Sequence, residues 1–242
     1  MSPESALQYW RLDLDHPKCS KLLFDFAVRF VRPGSVVWDI GANCGVFAFS
    51  AASLAGRTGK VIAVEPDRFL TELLHRTSAE LPASSAAVTV LGCAAADRLG
   101  AAALNIAMRG RSTNFLERVQ GRSDAGGVRR SETVLTLTLD WMSSEFPPPT
   151  VLKIDVEGAE ALVLRGASKL LSSARPVVLC EVSDDTRAEV LQCLRRLDYR
   201  LFDPEAPDGQ GSVQDAPNIV AVPSAAPRPE GSSANGSSGW SS

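Results

Sequence analysis

The feature that most constrains this chain is the loop Asp39-Ile-Gly-Ala-Asn-Cys-Gly45, set between a short apolar run and an amphipathic stretch. Val36 to Ile40 is nearly all apolar, the pattern of a parallel strand covered on both faces. Val46 to Ala55 reads as a helix, and Lys60 to Glu65 as a second buried strand. Strand, glycine turn, helix and strand in that order make a βαβ unit. In open α/β sheets a ligand lies beyond the carboxyl ends of the strands, so this loop marks a binding edge.

The same alternation runs along the chain. Apolar Leu22, Leu23, Phe26, Ala27, Phe30 and Val31 give Cys19 to Arg32 a helical spacing, ended by Pro33-Gly34. Pro66 suits the first turn of a helix reaching about Leu81. Val88–Cys93, Thr150–Asp155 and Pro176–Val182 read as strands, Glu157–Leu171 and Asp184–Leu197 as helices. Ala102–Ala107 and Thr133–Leu139 are strand-like, and Arg200–Phe202 with Asn218–Val222 forms a final pair. Repeated β-then-α order predicts the α/β class, a mostly parallel sheet with helices on both faces. The expected organisation is an N-terminal extension and helix over residues 1–34, one domain over 35–222 with an insertion at about 108–132, and a disordered tail over 223–242. Six arginines between Arg109 and Arg130 make that insertion either a solvated loop or a lid toward an acidic acceptor.

Composition narrows the partners. The net charge of −3 supplies no basic field, so no nucleic-acid partner is expected. No apolar run approaches the about 20 residues of a membrane helix, and residues 1–15 lack a signal-type apolar stretch, which together predict a cytoplasmic protein without a membrane span. The five cysteines form no C-x-x-C pair and there are two histidines, so neither a disulfide framework nor a metal site is expected. His16 and His75 stand alone and are not expected to act as bases.

Two constellations carry chemistry. The loop spacing is G-x-N-x-G, whereas a dinucleotide site would show G-x-G-x-x-G to seat a pyrophosphate. Gly41 allows the turn, and Gly45 lets backbone approach a ligand. Asp39 suits a ligand ammonium or the fixing of loop amides. Glu65, ending the second strand, can accept from a ribose diol. Cys93-Ala-Ala-Ala-Asp97 offers a flat bed at Ala95 for an adenine ring, with Asp97 as acceptor for its amino group. The second constellation is Val151-Leu-Lys-Ile-Asp-Val-Glu-Gly-Ala-Glu160. Period-2 geometry puts Lys153, Asp155 and Glu157 on one face. Glu181 ends the next strand on the same edge. Glu157 and Glu160 also suit a helix N-terminus, and Lys153 suits an ion pair with Asp155 or Glu181.

Asp39-Ile-Gly-Ala-Asn-Cys-Gly45, Val64-Glu-Pro66, Thr138-Leu-Asp140 and Leu152-Lys-Ile-Asp-Val-Glu-Gly-Ala-Glu160, with Leu164-Arg-Gly-Ala167 and Cys180-Glu-Val182, resemble FkbM-type methyltransferases. The resemblance implies the class I methyltransferase fold: a Rossmann-like, seven-stranded sheet with an antiparallel last strand. It implies S-adenosylmethionine as methyl donor and a hydroxyl of a small molecule or sugar as acceptor. By motif position, Asp39, Gly41, Asn43, Gly45 and Glu65 are then cofactor contacts, and Asp155 lies beside the transferred methyl. Asp155, Glu157, Glu181 and Lys153 are the candidate catalytic residues, with Asp155 first as base. Cys44-Gly-Val-Phe47 departs from the family's usual branched residue and aromatic pair. Two other functions fit the loop less well. An NAD(P)-linked oxidoreductase would want the third glycine and a Tyr-x-x-x-Lys pair, and a non-catalytic nucleoside-binding module would use the same fold without turnover.

Overall fold

Strand β1 (Val36–Ile40) takes the centre of a sheet because both its faces find apolar cover: Val37 to Ile40 are all buried. In the computed structural model, which describes residues 18–108, 114–116, 127–206 and 211–224, it is flanked by β2 (Lys60–Val64) and β8 (Val151–Ile154), both parallel to it. Strand β3 (Ala87–Leu91) extends the sheet beyond β2, and β9 (Val177–Glu181) beyond β8. Two C-terminal strands, β10 (Tyr199–Phe202) and β11 (Asn218–Pro223), complete it, with β11 inserted antiparallel between β9 and β10. The order β10-β11-β9-β8-β1-β2-β3 reverses direction at β1, whose carboxyl end is therefore the switch point where ligands bind.

Side-chain alternation along β1 divides the core in two. Trp38 and Ile40 join Leu152, Ile154, Leu164, Leu170 and Leu191 on one face. Val37 and Val151 join Phe26, Phe47, Ala51 and Leu74 on the other. The second face is covered by α1 (Lys18–Phe30), α2 (Val46–Ala55) and α3 (Arg68–Ala79). The first is covered by α4 (Leu139–Glu145), α5 (Glu160–Arg165), α6 (Ser168–Ser173) and α7 (Asp184–Arg196). None of the helices among the described residues is long and apolar enough to cross a membrane.

The helix expected over Glu157–Leu171 is two short helices, because the chain must pass another backbone at its middle. A Cβ on Gly166 would stand 2.2 Å from the Ala96 carbonyl oxygen. Asp140 then starts α6 afresh, accepting from the amides of Leu170 at 2.8 Å and Lys169 at 3.2 Å. Thr138 caps α4 through the Trp141 amide, and Leu139 is fully buried. The Thr138-Leu-Asp140 motif is thus a packing and capping device.

Between β3 and α4 the two strand-like runs expected at Ala102–Ala107 and Thr133–Leu139 lie in a separate second sheet, completed by two short strands that the sequence pattern did not announce. Its strands are β4 (Ala94–Ala95), β5 (Gly100–Ala107), β6 (Phe115–Leu116) and β7 (Val128–Leu137), in the order β4-β7-β5-β6. Its inner face, with Ala94, Leu104, Ile106 and Leu116, packs on Val156, Ala159 and Leu162 in the segment after β8. Arg129 and Arg130 are exposed on β7, where Arg130 pairs with Glu132 at 2.5 Å. Arg109, Arg111, Arg118 and Arg122, His16 and the tail from residue 225 onward lie outside the described residues.

Candidate active site

The site is built where β1 and β8 end side by side. Register pairs Asp39 with Lys153, and alternation turns both toward the α2 face. Lys153 is almost fully buried, and its Nζ lies 3.0 Å from Asp39 Oδ1 and 3.4 Å from Asp155 Oδ2. It also donates to the Gly41 carbonyl at 2.8 Å. Burial works against the ammonium, but Asp39 and Asp155 together outweigh it and hold Lys153 charged well above the ordinary lysine range. Burial pushes the Asp39 carboxyl up, opposed chiefly by Lys153. Asp39 has no solvent exposure at all, whereas the Asp155 side chain is 29% exposed. The solvent-facing carboxylate at this edge is therefore Asp155, with Asp39 behind it.

Gly41 is required by close approach. Its φ is +77°, and a Cβ there would lie 1.8 Å from the Asp155 carbonyl oxygen. The Asp155 amide in turn donates to the Ile40 carbonyl at 3.0 Å, so loop and strand end are locked backbone to backbone. Asn43 takes φ +51°, a conformation its short polar side chain tolerates. Gly45, at φ +86°, starts α2.

Glu65 closes the other side of the loop. Its Oε2 accepts from the Asn43 amide at 2.8 Å, and its Oε1 from the Asp67 amide at 2.9 Å. Burial pushes its carboxyl up to about 7 despite both hydrogen bonds. Asp67, buried, caps α3 through the Phe69 amide at 2.8 Å. The Asn114 side chain spans from there to the second sheet: its Nδ2 donates to Asp67 Oδ2 at 2.8 Å, and its Oδ1 accepts from the Ala107 amide at 2.9 Å.

The remaining candidates lie around this centre. Period-2 geometry holds for Lys153 and Asp155, but the strand ends at Ile154. Glu157 sits in a turn at φ +52° before α5 starts at Glu160. Glu160 is buried and bonded on both oxygens, by the Gly158 amide at 2.8 Å and the Thr186 hydroxyl at 2.9 Å. Glu181 is half-buried at the end of β9, opposite Asn218. The buried Cys180 thiol is pushed well above its ordinary value, first by burial and then by Glu160, Asp155 and Glu181. Ala95 is buried in β4, and Asp97 is exposed in the bend that follows; neither is hydrogen-bonded to the Gly41–Glu65–Asp155 group. Among the described residues no group of three His, Cys, Asp or Glu is placed to hold a metal ion.

Sequence reading missed Asp67, Asn114 and the Glu160–Thr186 link. An Asp just ahead of a helical pattern is a capping signal and would have found Asp67. Nothing marks Asn114, which lies inside the polar insertion.

A parallel sheet with this strand order, an antiparallel β11 and a carboxylate-rimmed glycine loop at the switch point define the class I, S-adenosylmethionine-dependent methyltransferase fold. Within that class the chain belongs to the FkbM methyltransferase family, whose Methyltransferase FkbM domain matches residues 39–201. Its fold is shared with the FkbM methyltransferase of Methylobacillus flagellatus, at 17% identity and a TM-score of 0.50, over 82% of this chain and 50% of that one. The chain thus spans half the length of that protein. Magnesium protoporphyrin IX methyltransferase from Synechocystis, solved with S-adenosylmethionine bound, is 13% identical with a TM-score of 0.48, over 88% of this chain and 82% of that one. An S-adenosylmethionine-dependent O-methyltransferase from Thermotoga maritima is 14% identical with a TM-score of 0.48, over 88% and 68%. No curated protein sequence matches this one.

Proposed function

We propose that this chain binds S-adenosylmethionine and methylates a hydroxyl oxygen of a small-molecule or carbohydrate acceptor, with Asp155 as the base. The observation that carries the reading is the part-exposed Asp155 carboxylate, fixed at the end of β8 in backbone contact with the Gly41 loop. The residues present fit the cofactor. With no Cβ, Gly41 lets the loop backbone seat directly against the Asp155 carbonyl, which a Cβ would meet at 1.8 Å, and so brings the glycine turn up to the strand end. Glu65 presents a carboxylate suited to a ribose diol, and Ala95 with Asp97 is assigned to the adenine end. Asp39, sealed behind Lys153, serves the loop rather than the ligand's ammonium.

S-adenosylmethionine brings a methyl group already activated on a sulfonium, so the protein's tasks are alignment, exclusion of water and removal of a proton. Asp155 takes the acceptor's hydroxyl proton onto a carboxylate oxygen. Lys153 is held charged and cannot share that duty. Glu157 and Glu181 flank the acceptor side as secondary candidates. The net charge of −3 favours a small acceptor over nucleic acid.

The test is Asp155→Asn. Turnover is expected to fall by about 10²–10⁴-fold, the usual worth of a general base. Affinity for S-adenosylhomocysteine, read by calorimetry, stays within a few-fold. Unchanged turnover sinks the base role, and absence of any S-adenosylmethionine binding sinks the reading as a whole.

A further inference from the structure

Two buried charged groups at the heart of the site, Asp39 and Lys153, take no part in the proton transfer assigned to Asp155. Asp39 is fully buried and Lys153 almost so, while Gly41 beside them is half-buried. Yet Lys153 Nζ reaches Asp39 at 3.0 Å, Gly41 at 2.8 Å and Asp155 at 3.4 Å. Two carboxylates face one ammonium, so the group carries an excess negative charge next to a loop whose backbone is in contact with Asp155. Burying such a charge set is costly, and an apolar substitute would pack as well. Fold stability therefore gives a weak reason for it.

We propose that Lys153 is a positioning residue that couples the two halves of the reaction site, anchoring the cofactor loop through the Gly41 carbonyl while fixing the aim and ionisation of Asp155. Asp39 sets the strength of that coupling, because it competes with Asp155 for the same ammonium. This rests on the reading of Asp155 as base. The other titratable groups around this edge are Glu65 at the end of β2 and Cys44 in the loop, both feeling the Lys153 charge, with Cys180 on the opposite face of β9, Glu181 at its end, Glu157 in the turn two residues after Asp155 and Glu160 on α5. None of them is a cation, so Lys153 is the one positive charge in this set.

The experiment compares Asp39→Asn with the double variant Asp39→Asn/Lys153→Met, which leaves no isolated buried charge. Freed of its competitor, Lys153 in Asp39→Asn stabilises the Asp155 carboxylate more, and the acid limb of the kcat/KM–pH profile moves to lower pH. In the double variant the cation is gone and the limb moves to higher pH. Calorimetry with S-adenosylhomocysteine alone reads the loop: affinity falls at least tenfold in the double variant and within threefold in Asp39→Asn. Lys153→Arg alone, which keeps the charge, leaves the limb near its wild-type position. Shifts of the same sign in the two variants, or unchanged S-adenosylhomocysteine affinity in a folded double variant, overturn the proposal. Failure of Asp155 as base is separately visible as retained turnover in Asp155→Asn, and the calorimetric arm does not depend on it.

Discussion

Two sheets meet at the site and hold it by different physics. The carboxyl edge of the parallel sheet is fixed by buried charges and by backbone pressed on backbone: Lys153 among Asp39, Asp155 and Gly41, and Glu65 pinning Asn43 to Asp67. The second sheet rests on the segment after β8 through a small apolar cluster and reaches α3 through the Asn114 side chain. Its outer face is open to solvent, with Leu135 68% exposed. The difference suits the proposed division of labour. In the proposed function the first edge would meet the cofactor, which is the same in every turnover. The second abuts Val156 and Ala159, beside the Asp155–Glu157 turn, where acceptors would differ and looser attachment is an advantage.

If the first edge is as unyielding as its geometry says, the largest effect belongs to Gly41→Ala. The clash at 1.8 Å is with the Asp155 backbone, which cannot rotate away, and the φ of +77° adds strain. A destabilisation of about 4 kcal/mol or more is expected, the range of severe core lesions. Denaturant unfolding measures it, and a loss below about 1 kcal/mol would show that this edge yields.

Next in size is Glu65. Its carboxyl is held at about 7 in the folded chain against an ordinary value of 4.5. A folded-state value raised in this way favours the protonated form. The stability it contributes is complete below about 4.5 and is lost as pH rises through about 7, on the order of 3 kcal/mol in all. The ligand-free protein should therefore unfold more easily at pH 8 than at pH 5 by that share, and Glu65→Gln should flatten the dependence. In the proposed site the two ribose hydroxyls donate best to the ionised carboxylate, so S-adenosylhomocysteine binding should weaken below about pH 7 and release a proton there. Calorimetry in buffers of different ionisation enthalpy reads that proton directly.

The parallel sheet was legible in the sequence because each of its strands is a short apolar run between turn signals. Val36–Ile40 and Val46–Ala55 lie where the pattern puts them, and the Gly41 loop, Glu65 and Asp155 stand at the predicted edge. Three things escaped. Ala94–Ala95 is too short to carry a period. Strand β7 starts among Arg129 and Arg130 and keeps one face in solvent, so its first half reads as polar loop. The break at Gly166 is imposed by a tertiary contact with Ala96, while the helical spacing runs through it undisturbed. At the site, the pairing of Lys153 with Asp39 was invisible, because cross-strand register is set by the sheet and local spacing does not encode it.

The smallest effect tests the looser half of the comparison. Asn114→Ala removes one hydrogen bond to Asp67 and one from the Ala107 amide, at 2.8 and 2.9 Å. Each such bond contributes about 0.5–1.5 kcal/mol net, so a loss of about 1–2 kcal/mol and a melting point lower by a few degrees are expected. The Asp67 carboxylate keeps its cap on α3, and the Asp67 amide keeps its bond to Glu65, since neither runs through Asn114. S-adenosylhomocysteine affinity should then stay within threefold of wild type while acceptor KM rises. A tenfold loss of S-adenosylhomocysteine affinity would mean that the second sheet shapes the cofactor site as well, and the division between a rigid cofactor edge and a tunable acceptor wall would fall.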